Sequence, residues 1–187
     1  MPDLPWQLLI LAGGLGTRHG GQDKGLRLVD GQPAVLALRD RLQPPRLLVS
    51  ANRHPEAYAA LGLVALPDQR SGFLGPLAGL ETLLAAAGQG PVVVVPCDMP
   101  ALPQDLPARL LAQLAKHPEQ RVVAHDGERL QPLCLALDAS CWLADLRRHL
   151  DAGGRSVLGW LDNPPPVICG FDQPAAFRNV NRPEATA

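Results

Sequence analysis

Residues 91–98 read PVVVVPCD, and this short run constrains the fold more than any other stretch. Four consecutive valines are β-branched and favour a strand. They do not alternate with polar residues, so the strand must be covered on both faces, as in a parallel sheet flanked by helices. The rest of the chain agrees. Strands are expected at residues 7–12, 46–50, 64–66, 121–125, 133–137 and 167–169. Helical periodicity predicts helices at 33–42, 55–61, 76–87, 106–116 and 140–150, with a short helix or turn at 157–161. Alternating strands and helices imply an α/β fold with a mostly parallel sheet. The 20 prolines fall at element boundaries, where they punctuate a fold.

Composition narrows the function classes. The 187 residues suit one domain, expected over residues 1–187. With 47% hydrophobic and 19% charged residues the chain is globular. A net charge of −1 points to neither nucleic acid nor an anionic membrane as a partner. The N-terminus has no basic leader, and no apolar run approaches the ~20 residues of a membrane span, so a cytoplasmic location is expected. The four cysteines, Cys97, Cys134, Cys141 and Cys169, form no CxxC pair, and the five histidines form no HExxH pattern. Reduced thiols and no zinc site are expected.

Two segments carry chemistry. After the first strand, residues 8–25 (LLILAGGLGTRHGGQDKG) hold six glycines. In an open α/β sheet the loop after a strand's carboxyl end is a prime ligand position. Glycines there let backbone N–H groups approach an anion. Arg18 and Lys24 would add charge for a triphosphate. The dinucleotide pattern GxGxxG fails because His19 replaces the last glycine, and the P-loop fails because Lys24 precedes Gly25. The loop is therefore a phosphate cradle of another kind or a tight turn. The second segment is the end of the valine strand. Asp98 lies on the same sheet edge, where a carboxylate suits Mg²⁺ shared with phosphates or caps the next turn.

The ordered motifs LAGG (11–14), GGQDKG (20–25), SANR (50–53), GPLAGL (75–80), PCDMPALP (96–103), QPL (131–133), GRSVLGWL (154–161) and FRNVNRPE (177–184) resemble those of the molybdenum cofactor guanylyltransferases. The resemblance covers nearly the whole chain. It implies a three-layer α/β/α sandwich with a Rossmann-like nucleotidyltransferase sheet. It also implies GMP transfer from GTP to molybdenum-loaded molybdopterin, with release of pyrophosphate. By motif, Leu11, Ala12, Gly13, Gly14, Lys24, Asn52, Asp68 and Asp98 would bind GTP. Arg18, Lys24 and Asp98 would be catalytic, and Asp98 would hold Mg²⁺. Residues 75–79 would approach guanine and ribose. Arg155, Ser156, Asn179 and Asn181 would meet the pterin, with Arg178 and Arg182 near its phosphate and Trp160 as a stacking surface or as core. The resemblance further implies transient contact with molybdenum-insertion proteins and acceptor molybdoenzymes.

The chemistry suits these residue types. A pterin phosphate is an ionised nucleophile, so in-line attack on the α-phosphorus needs positioning and charge neutralisation but no general base. Two positions depart from the family pattern: His19 where methionine is usual, and Arg182 where threonine is usual. A cytidylyltransferase on the same pterin is the nearest alternative. That branch carries LAAG, and the methyl missing at Gly13 leaves room for a purine. A non-catalytic nucleotide-binding protein would keep the fold and lose the metal site, whereas Lys24 and Asp98 are both present.

Overall fold

The structure is a computed structural model that describes residues 5–13, 23–72 and 74–180. The strands are β1 (Gln7–Leu11), β2 (Leu28–Val29), β3 (Gln32–Pro33), β4 (Leu47–Ser50), β5 (Ala65–Leu66), β6 (Pro91–Pro96), β7 (Val122–His125), β8 (Leu130–Asp138) and β9 (Val167–Gly170). The helices are α1 (Ala34–Leu42), α2 (Pro55–Ala60), α3 (Pro76–Ala87), α4 (Leu106–Lys116), α5 (Ala139–Asp151) and α6 (Val157–Leu161). Seven strands form one sheet in the order β5-β4-β1-β6-β8-β7-β9. Within that sheet β8 alone runs antiparallel to its neighbours.

The expected sandwich is observed, and its cause is visible residue by residue. Alternate side chains of each strand enter opposite cores. Leu8, Ile10, Val49, Val93 and Val95 pack under α1, α2 and α4, with Val35, Leu38, Tyr58 and Leu110. Leu9, Leu11, Leu48, Val92 and Val94 pack under α3, α5 and α6, with Leu80, Leu83, Leu146 and Trp160. The four valines are thus shared equally between two cores. No helix among the described residues is long and apolar enough to cross a membrane.

Three features differ from the expectation. A two-stranded ribbon, β2–β3, precedes α1; its Asp30-Gly31 turn has positive φ at both residues, 50° and 81°. β8 starts at Leu130 and not at residue 133, because Pro132, which lacks an N–H, is absorbed in the register shift opposite Val123 and Ala124. A 3₁₀ turn, Pro174–Phe177, precedes the end of the described chain.

The strand order reverses between β1 and β6, since β4 and β5 lie on one side of β1 and β6 on the other. Such a switch point opens a crevice at the carboxyl ends of the strands. At the opposite edge, Arg121 is only 1% exposed. Its guanidinium lies between the rings of Trp142 and Trp160, 4.0 and 4.7 Å from their centroids, and donates to the carbonyls of Trp160, Leu161 and Pro164. This one side chain fastens α6 and its exit loop to the base of β7. Arg121→Met should lower the unfolding free energy by about 3 kcal/mol, because charge-assisted bonds are lost and buried carbonyls are orphaned; denaturant unfolding checks it.

Asp126 closes the β7–β8 hairpin. Burial alone would raise its carboxyl pKa, but N–H bonds from Arg129 and Glu128, a bond from Gln131 and the Arg129 charge outweigh that and hold it below the ordinary value. A depressed carboxyl stabilises the fold above its unfolded pKa, and that contribution is lost as pH falls through the folded value. From about pH 4 downward, the wild type should therefore lose stability more steeply than Asp126→Asn in urea melts at stepped pH.

Candidate active site

The site begins with register. Leu11 of β1 stands level with Ser50 of β4 and Pro96 of β6. Sheet bonding runs one residue further on each side: Ala12 N–H donates to Ser50 O at 2.9 Å, and Cys97 N–H donates to Leu11 O at 3.1 Å. Three chain segments therefore leave the sheet at one height. They deliver Gly13, Asn52 and Asp98 to one edge.

On the β4 side a compact polar cluster forms. Asn52 Nδ2 donates to Asp68 Oδ2 at 2.9 Å, and Asp68 N–H donates back to Asn52 Oδ1 at 2.7 Å. Ser50 Oγ lies 3.4 Å from Asp68 Oδ1. Two glycines make room for this cluster. A Cβ on Gly79 would stand 2.3 Å from Ser50 Oγ, and one on Gly13 would stand 3.2 Å from Ser50 Oγ and 3.3 Å from Asn52 Nδ2. A methyl at Gly13 would crowd Ser50 and Asn52, whose side chains would have to give by a few tenths of an ångström, so the small residue also suits the packing within the protein itself. Gly75, with φ of 84°, takes a left-handed conformation at the cap of α3.

The loop bearing Asp68 is held at successive residues. Gln69 N–H donates to Thr82 Oγ1 at 3.0 Å. Arg70 binds Glu81 through two nitrogens, at 2.6 and 3.1 Å, and Asp151 at 2.7 Å. Glu81 is only 4% exposed and also accepts from Arg147. A buried carboxylate is tolerable here because two guanidinium groups meet it. The network joins the Asp68 loop to the end of α5, next to Arg155 and Ser156.

On the β6 side, Lys24 Nζ and Asp98 Oδ2 are 3.5 Å apart, with Lys24 43% and Asp98 18% exposed. At that separation the two form a long, partly exposed ion pair at the carboxyl edge of the sheet. Neighbouring Cys97 is buried, and burial, reinforced by the Asp98 charge, pushes its thiol pKa up, away from the reactive thiolate. Burial does the same to Cys134. Asp23 Oδ1 accepts from Tyr58 Oη at 2.6 Å and from Gly25 N–H at 3.0 Å. The final described residues approach the same edge, since Val180 N–H donates to Asp98 O at 2.9 Å and Arg27 donates to Val180 O at 2.7 Å.

Of the residues expected from sequence, Leu11, Ala12, Gly13, Lys24, Asn52, Asp68 and Asp98 meet at this edge. Gly14, Arg18 and Asn181 lie outside the described residues, as do His19 and Arg182. Arg155 donates to the carbonyls of Leu150 and Gly154, and Ser156 caps α6 by accepting from Gly159 N–H. Asn179 is exposed beside Val180. Trp160 is not a stacking surface: it is 2% exposed, meets Trp142 edge to face at 6.3 Å and donates to Asp145 at 3.0 Å. Sequence reading gave Ser50 no role, although SANR contains it; the signal was the small residue at position 79.

The Gly79–Ser50 contact is testable. Gly79→Ala should lower stability by about 1–3 kcal/mol through overpacking, and Ser50→Ala in the same chain should restore most of it; chemical denaturation midpoints read both.

The comparisons agree with this geometry. The family model described as a MobA-like NTP transferase domain matches residues 8–164. A molybdenum cofactor guanylyltransferase of Shewanella piezotolerans is 42% identical over 94% of this chain and 87% of its own length. The enzyme of the same name from Shewanella sediminis is 43% identical over 94% and 91%. Among solved structures, the molybdopterin-guanine dinucleotide biosynthesis protein A of Archaeoglobus fulgidus superposes with a TM-score of 0.73 at 20% identity, covering 95% of this chain and 93% of that one. The 2-C-methyl-D-erythritol 4-phosphate cytidylyltransferase of Thermus thermophilus shares the fold, with a TM-score of 0.68 at 16% identity over 94% and 92%. With its switch-point crevice, its Lys24–Asp98 pair and relatives this similar over nearly their full length, the chain belongs to the molybdenum cofactor guanylyltransferase family of MobA-like nucleotidyltransferases.

Proposed function

We propose that this chain transfers GMP from GTP to molybdenum-loaded molybdopterin in the cytoplasm, releasing pyrophosphate, and that residues 1–187 act as one nucleotidyltransferase domain. The observation that carries the reading is the approach of Lys24 and Asp98 across the switch point, in a chain 42% identical to curated guanylyltransferases.

In this reading the terminal phosphate of the pterin attacks the α-phosphorus in line. The new P–O bond forms as the bond to the β-phosphate breaks, and the displaced electrons go to pyrophosphate. The nucleophile is already ionised, so the protein supplies position and charge. Lys24 faces the triphosphate and stabilises charge accumulating on the leaving group. Arg18 adds a second cation from the same loop. The glycines at 13 and 14 offer backbone N–H groups. Asn52 and Asp68, locked to each other, contact the nucleotide, and residues 75–79 border its base and ribose. Arg155, Ser156, Asn179 and Asn181 border the pterin.

Mg²⁺ fits the donor set. Among the described residues no group of three or more His, Cys, Asp or Glu converges, but Mg²⁺ keeps several waters and takes one or two carboxylates plus substrate phosphates. Asp98 is such a carboxylate, partly exposed and held only loosely by Lys24. Bound there, the ion would neutralise phosphate charge. Molybdenum-insertion proteins and acceptor molybdoenzymes would be met transiently, as donors of the pterin and receivers of the product.

The experiment is pyrophosphate release from GTP and from CTP, with Mg²⁺ and molybdenum-loaded molybdopterin. GTP should be preferred, and Lys24→Ala and Asp98→Asn should each lower kcat/KM by roughly 10²–10³-fold. A preference for CTP would transfer the protein to the sister activity. Nucleotide binding without pyrophosphate release would sink the catalytic reading.

A further inference from the structure

We propose that Tyr58 is a positioning residue for Lys24: its buried hydroxyl clamps Asp23 and thereby sets the turn that presents the lysine beside Asp98. The proposal rests on Lys24 being the phosphate-binding cation.

Tyr58 lies on α2, 35 positions from Asp23 in sequence, and its side chain is fully buried. A buried phenol needs a partner for its O–H. Among the described residues the partner is Asp23 Oδ1, at 2.6 Å, a short charge-assisted bond. The same oxygen accepts Gly25 N–H at 3.0 Å. One carboxylate oxygen thus ties both residues that flank Lys24. The downstream side is held independently, because Val35 N–H donates to Gly25 O at 3.1 Å and Ala34 N–H donates to Arg27 O at 2.9 Å.

The packing leaves no slack. A Cβ on Gly25 would stand 2.4 Å from Tyr58 Oη, 2.9 Å from Ala12 Cβ and 3.0 Å from Val35 Cγ1. The phenol therefore lies against the backbone of the turn, and the turn lies against the residue that begins the first site loop. Asp23 and Gly25, the residues on either side of Lys24, are thus each tied by hydrogen bonds. Burial and the Asp23 bond also push the phenol pKa up, so Tyr58 remains the donor at any ordinary pH.

A purely structural tyrosine would affect stability alone, and a double-mutant cycle separates the two roles. Tyr58→Phe keeps the ring and removes the hydroxyl. In the full chain it should lower kcat/KM for GTP about tenfold and weaken GTP binding by calorimetry to a similar degree. In a Lys24→Ala background it should cost nothing further. Asp23→Ala should cause the same loss, without adding to that of Tyr58→Phe, and it carries the test if Tyr58→Phe does not fold. Wild-type GTP kinetics in Tyr58→Phe, with Lys24→Ala impaired, would overturn the proposal. So would losses that multiply in the double variant. If Lys24→Ala itself binds and uses GTP normally, the premise about Lys24 fails and the positioning role falls with it.

Discussion

Everything at the carboxyl edge depends on the register of β1 between β4 and β6. Leu11 stands level with Ser50 and with Pro96, and the backbone bonds continue one residue beyond each pair. A slip of one residue would move a strand by about 3.3 Å and turn its side chains to the other face. Asp98 would then leave Lys24, and Asn52 would leave Gly13. The two hydrophobic cores enforce the register, because each valine of β6 has its own core to fill. The site is therefore specified by burial far from any ligand.

The three buried charged residues among the described ones follow one pattern. Glu81 is buried but meets two guanidinium groups. Arg121 is buried and directs its charge at backbone carbonyls and two indole faces. Asp126 is buried and satisfied by backbone N–H groups. Each fastens a loop: the Asp68 loop, the α6 exit and the β7–β8 hairpin. Loops at both ends of the sheet are thus held by ions that face inward, whereas Lys24 and Asp98 stay partly exposed at the carboxyl edge.

What the sequence revealed and what it concealed divide along physical lines. Helices α3 and α4 were legible to the residue, because apolar positions recur at helical spacing and prolines mark their first turns. The valine strand was legible because its monotony admits few folds. The β2–β3 ribbon escaped notice despite its Asp-Gly turn, because its strands are two residues long and too short for periodicity to register. Pro132 concealed the start of β8. Of the residues gathered at the crevice edge, Lys24, Asn52, Asp68 and Asp98 were legible through motif resemblance. Ser50 and Tyr58 were not, because their roles come from contacts between distant segments: Ser50 against Gly79, Tyr58 against Asp23.

The aromatic clamp around Arg121 has an optical consequence. The chain has three tryptophans. Trp6 directly precedes β1, Trp142 lies in the first turn of α5, and Trp160 sits beneath β7 beside Arg121. All three occupy the amino edge of the sheet, with the sheet's length between them and the crevice. Two of them touch a guanidinium whose position depends on intact packing. Intrinsic fluorescence of this protein is consequently a gauge of whether its base is assembled, and a ligand at the opposite rim would touch none of the three indoles. An emission change on adding nucleotide would report movement transmitted through the sheet.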